Sequence, residues 1–90
     1  MKTLHVRIEG KVQGVFFRDF TRREAQKRGI KGWVKNRSDG SVETLIQGDP
    51  DEVRKMKEWF YTGSPHSSVT AVNSSEISET KEYADFSIRY

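Results

Sequence analysis

The chain has 90 residues, the length of one small domain, and 16 Lys and Arg against 13 Asp and Glu leave a net charge of +3. That mild basic bias, with a pI near 9.3, suits a small phosphate-bearing ligand as well as nucleic acid. The lack of cysteine excludes a disulfide-stapled scaffold, a cysteine zinc site and a thiol nucleophile; no apolar run reaches the length of a membrane span, so no membrane association and a cytoplasmic location are expected.

Residues 3–9, "TLHVRIE", alternate: Leu4, Val6 and Ile8 point one way, and His5, Arg7 and Glu9 the other, as in a half-buried strand. The stretch "GKVQGVFFR" (10–18) follows as a bend. Residues 18–28 favour helix, with Phe17, Phe20 and Ala25 near one face, and Gly29 is a natural stop. "IKGWVKN" (30–36) and "SVETLIQG" (41–48) read as two strands, the second with Val42, Thr44 and Ile46 on one side. The Asp39-Gly40 pair between them is a strong hairpin signal. A second helix starts with Asp49 as cap, Pro50 at the first helical position and Glu52 three residues after the cap. Val53, Met56 and Phe60 form its buried stripe with Trp59 beside it, and Gly63 ends it. "SVTAV" (68–72) predicts a strand that could run on at an edge to Ile77, within a Ser-, Glu- and Lys-rich stretch over 73–85. "FSIRY" (86–90) predicts the last strand, with Phe86, Ile88 and Tyr90 on one face.

This order predicts an α+β fold: a ferredoxin-like split β-α-β sandwich (βαββαβ). Its sheet has four to five strands in mixed, mainly antiparallel order, with two helices on one face, and residues 1–90 form a single domain. The first crossover is right-handed and skips one strand position, so the carboxyl ends of the first two strands lie at one end of the sheet. The loop over 10–17 leaves one of them and Asn36 the other, so both face one crevice.

Residues 10–18 contain no proline, so each carries a main-chain N–H. A bend entering a helix leaves several of these donors without partners, which makes an anion nest reinforced by the helix dipole. Glycines allow close approach of a ligand. Arg18 in the first helical turn opposes that dipole unless an anion compensates, and its guanidinium matches phosphate oxygens two at a time. A plain glycine turn with a surface arginine is the competing reading. The stretch is neither a Walker motif nor a Rossmann fingerprint. Asn36 either ends a strand, as asparagine often does, or holds a water facing the phosphate.

"GKVQGVFFRDF" together with "GWVKNRSDGSVE", "GSP" (63–65) and "YADFSI" (83–88) resembles the acylphosphatase family over nearly the whole chain. The resemblance implies a monomeric, metal-free and cofactor-free hydrolase of small acyl phosphates, with inorganic phosphate or sulfate as product-like ligands. It also implies that the main chain of Gln13, Gly14, Val15, Phe16 and Phe17 binds the phosphoryl group with Arg18, and that Asn36 positions the attacking water. The chemistry is consistent with so few groups. The leaving carboxylate has a conjugate acid of pKa about 4–5 and departs without a proton, and phosphoryl transfer depends mostly on positioning and charge stabilisation.

His5 and His66 read as surface residues, His5 beside the edge of the site. Lys11, Arg22, Arg23, Lys35 and Arg37 read as a basic rim, either plain solvated surface or a steering field. Trp33 and Trp59 read as core or core edge, and Asp19 and Glu24 as partners of neighbouring arginines. Two other functions compete. A non-catalytic phosphate or carbamoyl-phosphate binding module would bind without turnover. An RNA binder would need aromatic residues on the central strands for stacking, and the outward positions of the first strand are His5, Arg7 and Glu9; no nucleic-acid partner is therefore expected.

Overall fold

In the computed structural model, which describes residues 1–78 and 81–90, the alternation of the first segment forms β1 (Lys2–Lys11). Helix α1 (Phe17–Lys27) follows, then β2 (Lys31–Asn36), β3 (Val42–Gly48), α2 (Pro50–Trp59), β4 (Ser68–Glu76) and β5 (Phe86–Arg89). The sheet order is β4-β1-β3-β2-β5. β1 and β2 each run antiparallel to the central β3 and hence parallel to one another, while β5 adds parallel to β2. This is the ferredoxin-like α+β arrangement expected, with five strands. β4 ends at Glu76, yet the N–H of Ile77 still donates to the Thr3 carbonyl, so edge pairing does reach Ile77. Within the predicted 73–85 stretch, residues 79 and 80 lie outside the described residues.

Local chemistry accounts for the helix ends. The Asp49 carboxylate accepts the N–H groups of Asp51 and Glu52, with Pro50 at the first position of α2. Glu52 does not complete the reciprocal capping box; its carboxylate takes Arg28, which also holds Glu24 at 2.7 Å and so joins the end of α1 to the start of α2. Gly29 sits at φ 68°, and the Ile30 N–H donates to the Ala25 carbonyl, closing α1 with a left-handed glycine cap. In the β2–β3 turn only Gly40 has positive φ; the Asp39 carboxylate instead accepts the N–H and hydroxyl of Ser41. The hairpin is therefore a three-residue loop rather than the two-residue Asp-Gly turn.

The core lies between one sheet face and the two helices. Leu4, Val6, Ile8, Val34, Val42 and Ile46 meet Phe17 and Ala25 of α1, Val53 and Met56 of α2, and Phe60 at the C-cap of α2. On α1, buried Thr21 takes the place expected of Phe20, which is only half-buried. The Thr21 hydroxyl donates to the Phe17 carbonyl, so its polar atom is satisfied inside. Thr44, fully buried, does the same with the Trp33 carbonyl.

The opposite sheet face carries a charge cluster around Glu43. His5 approaches it at 2.6 Å, Arg37 at 3.2 Å and Lys35 at 3.6 Å. Partial burial pushes the Glu43 carboxyl up, but the His5 hydrogen bond and the charges of Lys35, His5 and Arg37 outweigh it and hold the carboxyl below the ordinary glutamate value. A carboxyl depressed in the fold contributes stability that is complete above its unfolded value and is lost as pH falls through the folded one. Glu43→Gln should therefore be less stable than the parent in urea at pH 7, with the gap closing towards pH 3. A gap constant over that range would show that Glu43 charge contributes nothing.

Candidate active site

Loop 12–16 connects β1 to α1, and its path is set at both ends. At the start, β1 is bulged between Glu9 and Gly10. A Cβ at Gly10 would lie 2.1 Å from the Ser68 carbonyl oxygen, so this glycine is required by close approach of β4, not by a ligand. Gly14 has open space around it and serves by its φ of 74°. At the far end Phe16, the N-cap of α1, takes φ 61° and ψ 24°, a left-handed conformation rare for a bulky side chain. Its side chain makes no capping bond. Among the described residues, the main-chain N–H groups of 13–19 donate to no protein acceptor; the first helical bond is from Phe20 to Phe16. Seven consecutive donors without partners, with two left-handed residues among them, have the character of an anion nest at a helix N-terminus.

The Gln13 side chain fastens this loop to the neighbouring hairpin. Its amide nitrogen donates to the carbonyls of Arg37 at 2.7 Å and Ser41 at 2.8 Å. Loop and strand end are thereby fixed relative to each other, which keeps Asn36 in register with the nest. The Gln13 and Val15 side chains do not line the crevice, and Val15 is buried; any contact of these two with an anion is through the main chain.

The crevice itself has a volume of about 490 Å³. Gly14, Phe16, Phe17 and Arg18 from the loop and helix line it together with Asn36 from the end of β2, as the topology requires. Arg18 has no carboxylate within ion-pair distance among the described residues; Asp19, next to it, is taken by Arg22 at 3.0 Å and Arg23 at 2.9 Å. The Arg18 guanidinium instead donates to the Arg89 carbonyl at 3.3 Å and lies 4.7 Å from the Tyr90 ring centre. A cation held by a carbonyl and a ring keeps its full charge available to an anion. Asn36 shares the helix-side face of β2 with Val34, and its side-chain oxygen is buried without a protein partner among the described residues. An unsatisfied buried acceptor is costly and points to a role outside the fold itself.

Several expectations are corrected. Of the proposed basic rim only Arg22 lines the crevice. Lys35 and Arg37 are spent on Glu43 across the sheet, and Arg23 pairs with Asp19 and lies over Phe20. His5 is not at the edge of the site; it sits in the Glu43 cluster on the helix-free face. Trp33 is also on that face, buried beneath Arg89 at 4.8 Å and Lys35 at 5.6 Å, so it offers no stacking platform for a base. Sequence reasoning missed Val12, Ile88 and Tyr90 as lining residues. The signal was present in the alternation of 86–90, but it needed the parallel pairing of Val34 with Ile88 to bring that face beside Asn36. No group of three or more His, Asp or Glu placed to hold a metal occurs among the described residues.

The family model described as Acylphosphatase matches residues 4–88. An acylphosphatase of Thiobacillus denitrificans is 49% identical over 90 residues, covering 99% of this chain and 98% of that protein. Human acylphosphatase-2 is 46% identical over 93 residues, covering 100% of this chain and 94% of that protein. The crystal structure of acylphosphatase from Bacillus subtilis superposes with a TM-score of 0.97 at 41% identity, covering all of both chains.

Proposed function

This chain belongs to the acylphosphatase family and hydrolyses acyl phosphates, and we propose that Arg18 with the main chain of 13–18 binds the phosphoryl group while Asn36 positions the attacking water. The observation that carries this reading is the placement of an arginine without a carboxylate partner and a buried, unpartnered asparagine oxygen on one crevice lined by a loop of free N–H groups.

The phosphoryl group sits in the nest formed by Gln13, Gly14, Val15, Phe16 and Phe17, and the Arg18 fork takes two of its oxygens. Charge accumulates on those oxygens in the transition state, and donors fixed in advance stabilise it without reorganising. The Asn36 amide hydrogen-bonds the water and holds it with a lone pair directed at phosphorus. Water attacks phosphorus, the bond to the acyl oxygen breaks, and the carboxylate leaves as an anion. The amide of Asn36 is too weak a base to deprotonate the water, so the proton passes to a phosphoryl oxygen. No general acid and no metal are needed for these steps. We further read the chain as one self-sufficient domain that acts as a cytoplasmic monomer on small acyl phosphates, with inorganic phosphate or sulfate competing for the same nest.

Acetyl phosphate and benzoyl phosphate should be hydrolysed at undiminished rate in the presence of a chelator. The kcat profile should show no titration near pH 6.5, because neither histidine belongs to the site. An essential group titrating there would replace the substrate-assisted proton transfer with a general base. Binding of phosphate with no turnover of either substrate would favour a binding module instead.

A further inference from the structure

Among the described residues four large apolar side chains are exposed, Met1, Phe16, Tyr61 and Tyr90, and two of them line the crevice. Phe16 is 73% exposed and Tyr90 97%. Phe16 is held in a left-handed conformation that an asparagine or glycine would adopt at less cost, so an aromatic ring is kept in solvent against both its hydration and its backbone preference. Tyr90 lies over the Arg18 guanidinium, and Ile88 and Val12 extend the same apolar wall. Phosphoryl binding by the main chain and Arg18 uses none of these side chains.

In-line displacement gives them a task. The attacking water is on the side of Asn36, which lines the crevice from the end of β2. The leaving group departs from the opposite side of phosphorus, towards the open mouth. Phe16 and Tyr90 are lining residues whose side chains are exposed, which sets them on that solvent side. We propose that Phe16 and Tyr90 form an acyl-group subsite that selects aromatic acyl phosphates over acetyl phosphate. An aryl ring between them meets one ring on each side, with Ile88 and Val12 behind, and such ring pairs prefer edge or offset contacts. The departing carboxylate still reaches water, as an anion requires. This assignment rests on the hydrolase reading above.

The test is the ratio of kcat/KM for benzoyl phosphate to that for acetyl phosphate, compared among wild type, Tyr90→Ala and Phe16→Asn. Comparing ratios between proteins cancels the intrinsic reactivity of the two substrates, and Asn tolerates the left-handed backbone at position 16. Each substitution should lower the ratio about tenfold, mainly through KM for benzoyl phosphate. A merely structural role would lower both substrates together and leave the ratio unmoved, which would overturn the subsite. Calorimetric titration with benzylphosphonate and methylphosphonate reads the same preference without turnover. Wild type should bind the benzyl compound about tenfold more tightly, with that advantage lost in Tyr90→Ala. Equal binding by wild type would overturn the subsite even if hydrolysis proceeds; a benzyl preference without hydrolysis of either substrate would sustain it and remove the hydrolase reading alone.

Discussion

Arg18→Ala should reduce kcat/KM for acetyl phosphate by about 10³–10⁵-fold, the range seen when an arginine that stabilises phosphoryl-transfer charge is removed. The loss arises in both parameters. On the proposed placement Arg18 contacts the phosphoryl group in the ground state, so KM rises, and meets the greater charge of the transition state, so kcat falls. Inhibition by inorganic phosphate should weaken in parallel. Folding should be nearly untouched, since Arg18 is half-buried, makes no ion pair among the described residues and gives the fold one long hydrogen bond to the Arg89 carbonyl. Arg18→Lys should recover little, because an ammonium group keeps the charge but not the planar fork. Steady-state kinetics with urea denaturation as the control decides the matter. Turnover within about tenfold of the parent would remove Arg18 from this role.

Asn36→Ala should separate binding from chemistry. In the proposed role its amide contacts the water and not the phosphoryl group, so kcat should fall about 10²–10³-fold, as when a single positioned polar group is deleted, while competitive inhibition by phosphate stays as in wild type. A second readout follows from burial. The side-chain oxygen is buried and meets no protein donor among the described residues, so its removal takes no hydrogen bond from the fold. The variant should be at least as stable as wild type, with a urea midpoint no lower. Loss of phosphate affinity in step with turnover would place Asn36 on the phosphoryl group instead. Unchanged turnover would end its assignment altogether. Activity lost while stability is kept is the signature expected of a residue retained for chemistry.

Much of the fold was legible because its signals are local. Strict alternation over 3–9 fixes which side chains share a face whatever lies across from them. Asp49-Pro50 and Gly29 act through their own backbone neighbourhoods, so the ends of α2 and α1 follow from residue type. Arg18 stood out for a local reason too, as a cation in a helical turn that prefers anions. Asn36 could be linked to it only by assuming that the first two strands run parallel with another strand between them, and the sheet order and pairing bear that out.

What stayed hidden depends on contacts between distant segments. Gly10 read as a ligand-approach glycine, yet the carbonyl that requires it belongs to Ser68, nearly sixty residues away. Lys35 and Arg37 read as a rim because they flank Asn36 in the chain. A side chain's face, however, is set by strand parity and by its partner, and that partner is Glu43. Gln13 was chosen for its main chain, while its side chain binds two carbonyls that only the folded hairpin presents.

The sequence by itself therefore determined the element order, the Asp49 and Gly29 helix caps and the absence of a thiol, because each follows from residue type and short-range geometry. Only the tertiary structure decided which charges face the crevice and that Tyr90 lies over Arg18. Those depend on strand register and on the parallel docking of β5 beside β2, and residue order along one chain carries no local record of either.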